Sequence, residues 1–145
     1  MSNKISIGNA GEYFVAGELE RRGYSVAVPM SNVKDFDLLV IDRDNYKQFA
    51  IQVKTTSSNS KRWVLAKKNE NLIRDNIVYV FVALNELGTP KYHIVPSEVV
   101  AISIKTAHEE WLKTLGKNGQ QHKDNSMRIF YDKDDKYLDN WEYLK

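Results

Sequence analysis

Cysteine is absent from this chain of 145 residues, so a disulfide framework, a thiolate nucleophile and any cysteine-ligated zinc or iron–sulfur centre are closed to it. Histidine is nearly as scarce. The three that occur, His93, His108 and His122, are scattered, which argues against a structural zinc. No Pro/Gly/Ser-rich linker, internal repeat or low-complexity tract divides the sequence, and the length suits one globular domain with a modest core. No apolar run approaches the length of a membrane span. The segment Met1 to Gly8 carries one lysine and no leader-like apolar stretch, so the expected compartment is the cytoplasm. Several catalytic signatures are also missing. Gly116-Lys-Asn-Gly119 lacks the spacing and hydroxyl of a phosphate-binding loop, and neither Gly-x-Ser-x-Gly nor His-Glu-x-x-His occurs.

A net charge of +2 is too small to announce a partner, but its distribution is uneven. Between residues 47 and 74 lie Lys47, Lys54, Lys61, Arg62, Lys67, Lys68 and Arg74, opposed only by Glu70. A solvated surface loop accounts for such a stretch as well as a polyanion site does.

The pattern along the chain predicts a helix, then strands, then mixed elements. Asn9 to about Arg22 reads as a helix with Asn9 as N-cap, a Glu18/Arg22 pair and Gly23 just past its end. Tyr24–Val28 reads as a first strand. Phe36–Ile41 and Phe49–Thr55 are β-rich runs joined by a polar turn, and so form an antiparallel hairpin. Ile77–Leu84 is apolar throughout and predicts a strand buried on both faces. Lys91–Val95 is another strand, and Pro96–Ile102 a short helix. Thr106 and Glu109 form a capping box that opens a separate helix closed by Gly116. Lys117–Asp124 is a polar loop, Met127–Tyr131 a short edge strand, and Tyr137, Leu138, Trp141 and Leu144 stand at helical spacing in a tail that docks on the core.

Projection of the first helix aligns Glu12 with the apolar stripe of Val15, Ala16 and Leu19. A carboxylate there needs a cation, a metal or a hydrogen-bond network, although Asn9-x-x-Glu12 fits a capping arrangement equally. Strand alternation puts Asp37, Leu39 and Ile41 on one face of the first hairpin strand. In its partner, Gln52 and Lys54 share a face, and Lys54 either snorkels from an edge or is committed to a site. The set gains weight together: Asp37, Glu12 and the side-chain oxygen of Gln52 would hold a hard divalent cation, with Lys54 reaching an attacked phosphate.

Gly11-Glu12, Asp35-Phe36-Asp37-Leu38-Leu39-Val40 and Ile51-Gln52-Val53-Lys54-Thr55 resemble the PD-(D/E)xK nuclease superfamily, and residues 8–56 are similar to its Holliday-junction-resolvase and very-short restriction-like branches. The resemblance implies an α/β fold, a restriction-endonuclease-like mixed β-sheet flanked by helices with a C-terminal helical extension. It implies Asp37, Glu12 and Gln52 as metal ligands, Lys54 as the catalytic lysine, and Mg2+ (or Mn2+) as the cofactor. Two departures stand out: Gln52 occupies a position where glutamate is commoner, and Phe36 stands where the pattern has proline.

A metal-dependent endonuclease acting on DNA is the leading expectation, with RNA left open as a substrate and a homodimer suited to cutting two strands. Lys61, Arg62, Lys67 and Lys68 are the expected phosphate contacts. The alternatives are a nucleic-acid-binding module with a degenerate site, since Gln52 removes one negative charge, or a protein-interaction domain that uses its aromatic tail. His93 and His108 are expected to be structural, and His122 and Lys123 to lie in an exposed loop.

Overall fold

In the computed structural model, residues 3–30 and 35–145 are described. Helix α1 spans Lys4–Arg21. Strands β1 (Tyr24–Ala27), β2 (Leu38–Asp42) and β3 (Gln48–Thr56) follow it. Next come β4 (Arg62–Ala66), a 3-10 turn at Lys67–Asn71, and β5 (Ile77–Ala83). The chain ends with β6 (Lys91–Pro96), α2 (Ser97–Leu112), β7 (Met127–Tyr131) and a 3-10 turn at Trp141–Leu144. Five strands form a mixed sheet in the order β1-β2-β3-β5-β6, while β4 and β7 make a separate two-stranded ribbon. The β1/β2, β2/β3 and β5/β6 pairs are antiparallel, and β3/β5 is parallel.

The sheet is a sandwich filling with different covers on its two faces. Strand β5 is buried along its whole length because both faces are covered, which explains its unbroken apolar run. Val78, Val80 and Val82 pack with Phe49, Ile51 and Val53 of β3 against Val15 and Leu19 of α1. Tyr79, Phe81 and Ala83 turn the other way, toward Val100 and Ile104 of α2 and the inner residues Trp63, Leu65 and Phe130 of the ribbon. The rings of Phe81 and Phe130 stack with centroids 4.4 Å apart, and Trp63 Nε1 donates to Val82 O at 3.0 Å, so the indole is buried with its polar edge satisfied.

Helix α1 starts six residues earlier than the sequence pattern suggests. Asn3 is the N-cap, its side chain accepting from Ser6 N at 2.8 Å, and Asn9 lies inside the helix, so the capping role expected for Asn9 falls away. Packing overrides the poor helix propensity of Gly8, Gly11 and Gly17. Gly11 is needed for a steric reason: a Cβ there would lie 1.8 Å from Thr55 Oγ1, so only glycine lets the helix approach β3 this closely.

The region after β6 also differs from expectation. Ser97–Leu112 is one helix, not two: the stripe of Val100, Ala101 and Ile104 is buried, the half-buried Ala107 and His108 carry it on one turn further, and Thr106 lies exposed inside the helix with no capping role. The helical spacing of the tail is realised only as the 3-10 turn Trp141–Leu144. Trp141 and Leu144 nevertheless enter the core beside α1, and Tyr24 Oη donates to Leu144 O at 3.1 Å. Strand β4, within the basic stretch, is an element the pattern reading passed over. Its residues Trp63 and Leu65 point inward while Arg62 and Val64 are exposed. Among the described residues no helix is long and apolar enough to cross a membrane.

Candidate active site

The β2/β3 hairpin builds the first half of the site. Asp37 sits one residue before β2 rather than inside it, and Asp37 N donates to Ile51 O at 2.8 Å. With the Leu38–Ile51 pair, this bond sets Asp37 against the Ile51–Val53 stretch of β3. The chain arrives there through Asp35, whose φ of 76° is a left-handed conformation that aspartate tolerates better than most residues. Since Phe49, Ile51 and Val53 face α1, alternation turns Gln52 and Lys54 to the opposite face, in register with Tyr79 and Phe81 of β5. One oxygen of Asp37, Oδ2, accepts from Val53 N at 2.8 Å, which fixes the carboxylate at the mouth of the hairpin.

Helix α1 supplies the second half. The close approach at Gly11 brings the next residue, Glu12, to the sheet corner, where its carboxyl reaches the Asp37 carboxyl within hydrogen-bonding range. Partial burial raises the Glu12 pKa, and the negative charge of Asp37 and the contact between the two groups raise it further. Lys54 responds in the opposite sense. Burial lowers its pKa, the nearby Asp37 opposes that shift, and Lys68 adds to it. Two carboxyl groups and a half-desolvated ammonium therefore share one corner.

This donor set fits a hard divalent cation. Two facing carboxyls, with the Asp37 charge raising the proton affinity of Glu12, offer oxygen ligands at a place where a second positive charge would relieve their repulsion. Among the described residues no three Asp, Glu, His or Cys side chains converge, so a third protein ligand would be neutral, and Gln52, between the Ile51 and Val53 backbone groups that bond Asp37, is the candidate.

The four basic residues expected to meet phosphates do not share one environment. Lys61 is engaged by Asp135 at 2.8 Å, and Arg62 lines a cavity of about 240 Å3 beside Trp111 of α2. Lys67 and Lys68 lie on the 3-10 turn after β4 and are exposed. Lys68 faces a cleft next to Gln52, together with Asn69 and Arg74. Sequence reasoning did not single out Asn69 or assign Arg74 a role. The one available signal was the basic run itself, since the contacts that bring these residues beside β3 are tertiary. His93 is buried, with Nδ1 2.7 Å from Asp132 Oδ2, and ties β6 to the segment after β7. His108 pairs with Asp124 at 2.7 Å, and Trp111 stacks between His108 and His122.

Residues 1–87 match the family described as PD-(D/E)XK endonuclease, and the chain belongs to that family. Among solved structures, the fold is similar to a bacterial homing endonuclease, I-Ssp6803I, at a TM-score of 0.60 and 13% identity, covering 99% of this chain and 92% of that one. It is also similar to Hjc, a Holliday junction resolvase from the archaeal hyperthermophile Archaeoglobus fulgidus, at a TM-score of 0.53 and 9% identity, covering 86% and 84% of the two chains. At such identities the likeness is one of fold. No curated protein matches at the level of sequence.

Proposed function

We propose that the chain is a divalent-metal-dependent endonuclease that hydrolyses phosphodiester bonds in DNA, with Mg2+ as the working ion and Mn2+ as a substitute. The observation that carries this reading is the meeting of Glu12, Asp37 and Lys54 at one corner of the sheet. Glu12 and Asp37, with the Gln52 carbonyl oxygen, would hold the ion. When bound, it supplies Lewis acidity at the phosphate and a water of lowered pKa. Lys54 donates to a non-bridging phosphate oxygen and offsets the charge that builds there as the water oxygen attacks phosphorus and the leaving oxygen departs. The partly buried setting of Lys54 strengthens that interaction relative to bulk water. Asp37 is held in place by Val53 N, so the ligand geometry is established before substrate arrives.

Substrate contact falls to the exposed cations of the basic stretch, Lys67, Lys68 and Arg62, whereas Lys61 is engaged by Asp135. Replacing Lys67 and Lys68 together should weaken binding to all sequences alike and flatten the slope of log affinity against log salt by about one unit per lost contact. An unchanged slope would return these residues to the role of a solvated surface.

A second reading has one observation in its favour. Gln52 removes a negative charge from the ligand set, which suits a nucleic-acid-binding module of the same fold that does not cut. Incubation with supercoiled, linear, branched and single-stranded DNA in Mg2+ or Mn2+, with an EDTA control, separates the two. Cleavage that EDTA abolishes supports the nuclease, and salt-sensitive binding without cleavage supports the module.

A further inference from the structure

A cleft of about 310 Å3 opens beside the hydrolytic corner, bounded by Asp35, Gln52, Lys68, Asn69 and Arg74. It shares the Gln52 wall with the ligand set, and Lys68 lies within electrostatic reach of Lys54. The cleft and the corner are therefore continuous.

Its cations, like the neighbouring Arg62 and Lys67, differ from the basic residues of the region that are held in ion pairs. Lys61 is paired with Asp135 and Arg128 with Glu70, whereas among the described residues neither Lys68 nor Arg74 makes an ion pair. Both are nonetheless carried on backbone that is held firmly. Asn69, almost wholly buried, accepts from Ala66 N at 3.0 Å and donates to Tyr79 Oη at 2.9 Å, which locks the 3-10 turn bearing Lys68. Ser97 Oγ accepts from Arg74 N at 3.1 Å and donates to Arg74 O at 2.8 Å, which pins the backbone of Arg74 to the start of α2. Two charged side chains thus stand on fixed backbone supports around an open cleft, and the Arg74 guanidinium, of whose N–H groups one donates to Ile73 O at 2.7 Å, keeps the others for an anion.

The chemistry favours a phosphate over a base. Among the described residues no aromatic ring lines the cleft for a base to stack on, and Tyr79, to which Asn69 donates, is fully buried. Two cations against the one carboxylate of Asp35, with the amides of Gln52, Asn69 and Asn71, leave a net positive lining that matches a phosphodiester. We infer that this cleft seats a second phosphate of the strand being cut, next to the scissile one, and that Lys68 and Arg74 thereby fix the register in which the backbone crosses Asp37 and Lys54. The inference rests on the nuclease reading and deepens it. It assigns these residues to positioning, with no role in choosing bases.

The test uses the full chain and the DNA form that the wild type binds best, with a single uncharged methylphosphonate placed in turn at each phosphate flanking the cut. Wild type, Arg74→Gln, Lys68→Gln and the charge-preserving Arg74→Lys are compared in cleavage and, with Ca2+ in place of Mg2+, in binding by fluorescence anisotropy. Both side chains are exposed, so the variants should fold, and thermal melts check this. We expect one flanking position at which neutralisation costs wild type about tenfold in affinity and in kcat/KM, a loss the size of one charge-assisted hydrogen bond. Arg74→Gln should lose a similar factor on unmodified DNA and then be indifferent to the methylphosphonate, while Arg74→Lys recovers part of the loss. If the two losses multiply, or no flanking phosphate matters, the inference is overturned. Should no DNA be cut while the coupling persists in binding, the cleft assignment stands and the nuclease reading falls.

Discussion

Two regions of the molecule handle buried charge in opposite ways. Where the ribbon meets β6, the 3-10 turn after β4 and the segment after β7, ionisable groups taken from water are matched: His93 meets Asp132, whose carboxylate also accepts from Lys136 N and Tyr137 N, and Arg128 meets Glu70. At the corner where α1 touches the hairpin, Glu12 and Asp37 bring like charges together, and Lys54 is drawn partly out of water. Matched pairs are what a fold needs to satisfy its interior. Unmatched ones at the mouth of a hairpin are what a site for an external cation would need.

Breaking a matched pair should give the largest change in stability. Arg128→Ala strands Glu70 in a mostly buried position and should cost about 3 kcal/mol, read by denaturant unfolding. Cleavage per folded molecule should stay near the wild-type level, which sets this pair apart from the corner.

The steric device that assembles the corner should come next. In Gly11→Ala the new Cβ meets Thr55 Oγ1, and the helix must back away from β3 at a cost of about 1–3 kcal/mol. Removing the obstacle in Gly11→Ala/Thr55→Ala should recover part of that stability, because the Thr55 hydroxyl is buried without a hydrogen-bond partner. Equal stability of wild type and Gly11→Ala in chemical unfolding would mean that close helix approach is not what Gly11 provides.

Gln52→Glu sharpens the contrast by adding a third carboxylate to the unmatched set. Without metal the variant should melt below wild type, and Mg2+ should reverse the loss by mass action on the folded state. Calorimetric titration should show Mg2+ bound about tenfold more tightly. No gain in affinity and no extra metal-dependent stabilisation would remove Gln52 from the ligand set and favour the binding module.

The smallest effect is expected from Glu12→Gln, and its sign is the informative part. Because the folded state raises the Glu12 pKa, it holds that proton more tightly than the unfolded chain does, so stability falls as pH rises through the ordinary carboxylate range toward the raised value. The penalty is complete at neutral pH, where the variant should melt higher than wild type by no more than about 3 °C, given the partial solvent screening of the site. The gain should vanish at a pH low enough to protonate Glu12 in both states. A lower melting temperature at neutral pH would show that Glu12 is a stabilising cap rather than a repelled ligand.

Much of this was legible in the sequence, and the failures have physical causes. Alternation located the β2/β3 hairpin and put Gln52 and Lys54 on one face of its second strand, because a period of two survives whatever packs above it, whereas Asp37, read as part of the first strand, lies just before β2. The run Ile77–Ala83 announced its own burial. Asn9 and Thr106 misled because a cap signal is local, whereas the continuous stripes of α1 and α2 are set by what they pack on. Strand β4 was hidden by its flanking cations, although Trp63 and Leu65 alternate with exposed residues. The cleft formed by Gln52, Lys68 and Arg74 was out of reach, since Lys68 and Arg74, which lie between β4 and β5, are brought beside β3 only by the parallel crossover.

The central claim is that the corner of Glu12, Asp37 and Lys54 performs metal-dependent phosphodiester hydrolysis. Cleavage of DNA by folded Asp37→Ala and Lys54→Ala proteins, measured beside wild type in Mg2+ and in EDTA, tests it most directly. The account predicts EDTA-sensitive cutting by wild type and a fall of about two orders of magnitude or more in each variant, the scale of losing one electrostatic stabiliser. Full activity in a Lys54→Ala preparation with a native melting profile would contradict it.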